Sequence, residues 1–125
     1  MPEDPFPEWP AHFPNNCPDD QAIAADGAVF RLVCGDDRDW KSAKELGEWT
    51  NPPECQRASL SCFLEVSDAA DLRDALPKFE NHKIVKAMLE PKHGKMKRGG
   101  KGTHVSVWLR TRFLASVQEL FEEVT

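Results

Sequence analysis

A chain of 125 residues, 40% hydrophobic and 30% charged, is long enough for one apolar core and too short for two ordinary domains. Its apolar runs last only a few residues, which excludes a membrane-spanning helix. The first ten residues carry acids and prolines where a secretory signal needs a basic and then an apolar stretch, so the expectation is a soluble, cytoplasmic protein. The net charge of −5 is unevenly held: Glu3, Asp4, Glu8, Asp19 and Asp20 lie in a segment without Lys or Arg, and the remaining chain balances at 16 basic against 16 acidic residues.

That segment, residues 1–20, reads as an acidic Pro-rich tail, and residues 21–125 as a single α+β domain. Pro2, Pro5, Pro7, Pro10, Pro14 and Pro18 remove backbone donors and bias their neighbours to extended conformations. Two readings stand side by side. One is a disordered leader; the other is an extended arm whose Phe6, Trp9 and Phe13 dock on this chain or on a partner, since large aromatics are uncommon in simple disorder.

Residues 28–34 are β-branched and aromatic between two glycines and predict a strand. Arg31 falls in it among valines, either as a snorkelling or internally paired residue or as a clamp for an anion. Residues 36–49 offer capping aspartates, then Trp40, Ala43 and Leu46 at helical spacing, ending near Gly47. Residues 59–66 alternate strictly and give a second strand. Ser59 and Ser61 lie on its more polar side, but no nucleophile elbow surrounds them, and half-exposed strand serine is the simpler reading. Ser67 or Asp68 then caps a helix carrying Ala69, Leu72 and Leu76 and ending at Pro77.

Residues 83–89 and 104–110 alternate as two more strands, which a hairpin could pair. Residues 111–124 repeat apolar side chains at Phe113, Val117, Leu120, Phe121 and Val124, the stripe of a closing helix. Glu119, Glu122 and Glu123 would then sit unfavourably at the negative end of its dipole. The expected fold is therefore α+β: a small, mainly antiparallel sheet of three or four strands, helices packed on one face, and an extended N-terminal tail. Cys17, Cys34, Cys55 and Cys62 form no CxxC pair, which predicts four reduced thiols and no metal site.

Between the third and fourth strands, Lys92, Lys95, Lys97, Arg98 and Lys101 mix with Gly94, Gly99, Gly100 and Gly102. The mixture suggests phosphate cradling, because glycine lets backbone N–H groups approach an oxyanion. The register is wrong for a nucleotide loop: Lys101 is followed by Gly102, and the loop leads into a strand instead of a helix. No cofactor is expected. What remains is a positive patch, Lys95, Lys97, Arg98 and Lys101, able with Arg31 to receive an anionic partner such as nucleic acid or an acidic protein surface, with Trp108 as a stacking platform. His93 and His104 bracket the patch and are the candidate acid–base residues, provided a hairpin brings them together.

The order Leu89, Pro91, His93, Gly94, Lys97, then His104 and Trp108 resembles a group of small bacterial proteins without an assigned function. The resemblance covers about residues 17–110 and implies a bacterial or phage-borne single domain with its interest at those positions; it supplies no reaction. Three functional classes follow. The first is a small binding or interaction module for an anionic partner, with no membrane contact. The second is a small enzyme, a transferase or hydrolase acting on a nucleotide or phosphorylated substrate through His93 or His104, and the third is a structural adaptor. A shared concave pocket for Arg31, His93, His104 and Trp108 would favour an enzyme or a small-ligand binder.

Overall fold

The computed structural model describes residues 9–18, 20–47, 53–99 and 102–124. Phe6 of the tail, Trp49 and Lys101 lie outside them. The fold is α+β, but its sheet is larger than three or four strands. Seven antiparallel strands are described: β1 (Ile23–Ala24), β2 (Gly27–Val33), β3 (Leu60–Phe63), β4 (Lys83–Leu89), β5 (Gly94–Arg98), β6 (His104–Leu109) and β7 (Glu122–Glu123). They lie in the order β1-β5-β6-β3-β2-β4-β7. The extra strands come from short or disguised segments. β5 takes Gly94–Arg98 out of the expected basic loop, and β1 and β7 are two-residue edges too brief to show a period.

Alternation sorts the sheet into two faces. On one, Val29, Val33, Leu60, Cys62, Val85, Ala87, Leu89, Val105, Val107 and Leu109 form the main core, sealed by Val117 and Phe121 with Trp40 against Phe121 at 5.0 Å between ring centroids. The expected closing helix is not there. Residues 111–124 form only the turn α4 (Thr111–Leu114), a 3-10 turn at Val117–Glu119, and β7. The three glutamates explain the departure: a continuous helix would place them against its dipole, whereas β7 pairs Glu122 with Lys86 and sets Glu123 3.6 Å from Lys83. Val124 N–H also reaches Ile84 O, satisfying part of the β4 edge.

The other face carries the remaining helices, α1 (Ala43–Leu46), α2 (Glu54–Arg57) and α3 (Val66–Ala75). The single helix expected over residues 36–49 is two pieces, because it contains two N-caps. Asp36 caps a 3-10 turn at Asp37–Trp40, and Ser42 with Glu45 makes a capping box that starts α1 afresh. Gly47 ends α1 at φ 70°, the left-handed conformation that glycine adopts without cost. α3 starts at Val66, so Asp68 is not its cap; its carboxylate instead accepts from Thr103 N–H at 2.9 Å and Thr103 Oγ1 at 2.6 Å, tying the β5–β6 turn to the helix.

One expectation about the first half fails on a single contact. Cys17 and Cys55 form a disulfide across 38 positions, leaving Cys34 and Cys62 as the free cysteines, so the thiols are not all reduced. Sequence spacing carries no trace of such a pairing, because it depends on where the tail lies in space. Residues 9–18 are docked: Trp9 stacks on Phe13 at 6.0 Å, and the Arg110 guanidinium lies 4.4 Å from the Trp9 ring centroid. Lys44 also donates to the His12 carbonyl. No helix among the described residues is long and apolar enough to cross a membrane.

Candidate functional site

The helices leave part of their face of the sheet open. α3 covers the end of β2 and β4, where Ile84 is buried, and α2 with the Cys17–Cys55 tether covers Trp108 on β6. Between them lies a cleft of about 780 Å³, floored by Leu32, Ser61, Phe63 and His104. Leu46, Leu72, Leu76 and Phe79 give it apolar walls, and Arg38, Lys41, Arg57 and Lys78 line it with positive charge.

Of the carboxylates of the cleft, Asp39 is buried and committed to the backbone, and Asp36 is exposed and caps a turn. Asp39 accepts from the N–H groups of Cys34 at 2.8 Å, Gly35 at 2.7 Å and Asp36 at 3.1 Å. Burial alone would raise its pKa, but these donors and the Cys34 thiol hold it below the ordinary carboxyl value. Asp36 Oδ1 accepts from Arg38 N–H at 2.8 Å as a helix cap. Cys34, Asp36 and Asp39 do bring one potential metal-ligand atom each within 4.8 Å of one another. A cation there would have to displace the backbone donors from Asp39.

Arg31 explains how the cleft is held open. β2 and β3 pair only at Phe30 and Phe63, while β2 and β4 pair along seven residues, so β3 splays away from β2. The Arg31 guanidinium fills the wedge, donating from Nη1 to Ser61 O at 2.7 Å and from Nε and Nη2 to Asp39 O at 3.0 and 2.6 Å. Burial lowers its pKa, and the neighbouring Cys62 and Asp39 act in the opposite direction. Burial likewise pushes the Cys62 thiol up to about 11, which keeps it protonated beside the guanidinium. Arg31 therefore lines the cleft, with at least three of its five N–H groups engaged by carbonyls.

The expected partnership of His93 and His104 does not form. β5 and β6 run from Gly94 opposite Leu109 to Arg98 opposite Val105, which puts the histidines at opposite ends of the hairpin. Six residues of strand separate them, about 20 Å at ~3.3 Å per residue. His93 is buried; its Nδ1 accepts from Glu90 N–H at 2.9 Å, and its ring meets Phe113 edge-on at 4.7 Å. Burial, with Lys92 adding to it, lowers its pKa, so it sits in the structure as a neutral packing residue.

His104 is the one that reaches the cleft. Its Nδ1 lies 2.8 Å from Gly99 O, and its Nε2 lies 3.2 Å from Ser61 Oγ. A carbonyl only accepts, so Nδ1 carries the proton, and in the neutral ring Nε2 is left to accept from the Ser61 hydroxyl. Phe63 packs edge-on against the ring at 5.7 Å.

The other expected binding residues disperse. Trp108 is 2% exposed and donates from Nε1 to Cys55 O at 2.9 Å, so it is a core anchor and offers no stacking surface. Lys95 and Lys97 of β5 pair with Trp108 and Ser106 of β6, while Arg98 lies on the other face of the strand and donates to Gly102 O at 2.7 Å. None of these lines the cleft. Gly94 is small for a packing reason: a Cβ there would fall 1.9 Å from Trp108 O. Of the residues weighed in the sequence, Arg31, His104 and Ser61 converge, and they do so with Arg57 and Lys78. Hydrophobic alternation puts Ser61 and His104 each on the polar side of its strand, but only the β3–β6 register places them in one site.

No known protein family, curated protein or solved structure matches this chain.

Proposed function

We propose that the protein binds a small organic anion with an apolar body in the cleft between α2 and α3. The observation that carries this reading is the imbalance of the lining: Arg31, Arg38, Lys41, Arg57 and Lys78 border the same space against two carboxylates, Asp36 and Asp39. Leu72, Leu76 and Phe79 supply an apolar wall, and the volume of about 780 Å³ falls in the range of small-molecule sites. The anionic partner read from the sequence thus moves from the glycine-rich hairpin to the cleft. A small ligand suits a concave, walled site better than a nucleic-acid backbone does. The disulfide supports an oxidising setting for this binding over the cytoplasm.

The probe that tests the reading is anilinonaphthalene sulfonate, whose rings and sulfonate match the two halves of the lining. Saturable fluorescence enhancement with one dye per chain is expected at neutral pH in the folded protein. Arg57→Ala and Lys78→Ala should each weaken it roughly three- to tenfold, on the order of 1 kcal/mol for a partly exposed charge contact. Unsaturable binding, or affinity indifferent to both substitutions, would remove the cleft as an anion site.

A further inference from the structure

Ser61 lies at the floor of the cleft with its hydroxyl against His104, and binding alone gives that contact no role. We propose that Ser61 and His104 are a nucleophile and its general base, which take the acyl group from a carboxylic ester bearing an anionic end. The inference rests on the cleft being the anion site.

The argument starts from the tautomer. Gly99 O fixes the His104 proton on Nδ1 at 2.8 Å, which leaves the Nε2 lone pair aimed at Ser61 Oγ 3.2 Å away. This is the nucleophile–base–orienter order that hydroxyl catalysis requires, with a backbone carbonyl as the orienting group. Both ends are held by structure. Ser61 is locked in β3, whose pairing with β6 sets Phe63 opposite His104, and the Phe63 ring steadies the imidazole. The second serine of the strand differs: Ser59 is buried, and its hydroxyl is spent on Gln56 O at 2.6 Å.

The surroundings name the substrate class. Leu72, Leu76 and Phe79 can take an acyl or aryl body, Arg57 and Lys78 an anionic end, and Arg31, bonded to Ser61 O at 2.7 Å, fixes a positive charge near the bond being made. In the step, Ser61 Oγ attacks the ester carbonyl carbon as its proton passes to His104 Nε2. The tetrahedral intermediate collapses, the bond to the leaving oxygen breaks, and that oxygen takes the proton from Nε2, releasing the alcohol. Water, deprotonated by the same Nε2, then attacks the Ser61 ester. It releases the carboxylic acid and returns the proton to Oγ, so no further reactant is needed.

The test uses p-nitrophenyl acetate on the full, oxidised chain. A burst of nitrophenolate of about one equivalent is expected, with an acetyl group found by peptide mass mapping on Ser61. Ser61→Ala should abolish the burst, and His104→Gln, which keeps a polar side chain but no base, should slow it by about 10²-fold, as loss of a general base does. No burst, acetyl found on Cys34 or a lysine alone, or a burst unchanged in His104→Gln overturns the proposal. If Ser61→Ala fails to fold, the acetyl position in the native chain and the His104→Gln rate decide. Saturable dye binding without acylation refutes the nucleophile and leaves the binding reading standing. Acylation of Ser61 that the dye does not inhibit does the reverse.

Discussion

Asp39 joins the wall of the cleft to the wedge in the sheet, and removing the charge of this buried carboxylate should be costly. In Asp39→Asn one oxygen still accepts, but the amide now faces some of the N–H groups that the carboxylate held at 2.7, 2.8 and 3.1 Å. A hydrogen bond to a charged acceptor contributes about 1.5–3 kcal/mol, and a donor left buried without a partner costs about 1–3 kcal/mol. Cys34 and Gly35 are exposed enough to recover water, which brings the expected loss to about 2 kcal/mol at neutral pH. The carbonyl of the same residue holds Arg31, so any shift of the 3-10 turn is transmitted to the wedge.

Urea denaturation at two pH values measures this. The Asp39 pKa is lowered on folding, so its contribution is complete above the ordinary carboxyl value of about 3.9 and drains away as the pH falls through the lower folded value. The gap between native and Asp39→Asn chains should therefore be full at neutral pH and should shrink in acid below that ordinary value. A variant as stable as the native chain at neutral pH, or a gap that persists undiminished in strong acid, would refute the role given to these N–H groups.

Other substitutions test the scaffold around the cleft. Gly94→Ala forces a Cβ to 1.9 Å from Trp108 O, which backbone must yield to, and the loss of the adjoining β5–β6 pairs should cost about 3–5 kcal/mol, visible as a large drop in melting temperature. Trp108→Phe deletes the bond to Cys55 O and should cost about 1–3 kcal/mol by denaturant titration, whereas a solvent-facing tryptophan would cost little. Replacing Cys17 and Cys55 by serine releases a crosslink across 38 positions and should lower stability by about 3–4 kcal/mol. Equal melting of that variant and the oxidised native chain would mean the tether contributes nothing.

What could be read from the residues follows the length of each signal. β2, β3, β4 and β6 show as alternation over four or more positions, and α3 shows as an apolar stripe stopped by Pro77. β5 was hidden because its glycine and lysines look like a loop; the strand forms because Met96 is buried opposite Val107 and Gly94 allows the chain to close on Trp108 O. The stripe at residues 111–124 misled because its apolar residues are compatible with short turns that seal the core as well as with a helix, and the glutamates decided between them. The site was half visible. Arg31 and His104 stand out by residue type and Ser61 is weighed only to be read as half-exposed strand serine, while Arg57 and Lys78 are ordinary in sequence; the sheet register and α3 bring all five around one space.

The most direct measurement is amide NMR on the nitrogen-labelled chain titrated with octanoate, which carries an apolar body and a single carboxylate. The anion-cleft account predicts saturable shift changes at Leu32, Ser61, Phe63, Leu72, Lys78 and His104, and none at Lys95 and Lys97, the hairpin residues outside the cleft. Shifts confined to the β5–β6 hairpin, or no saturable shift at the cleft residues, would contradict it.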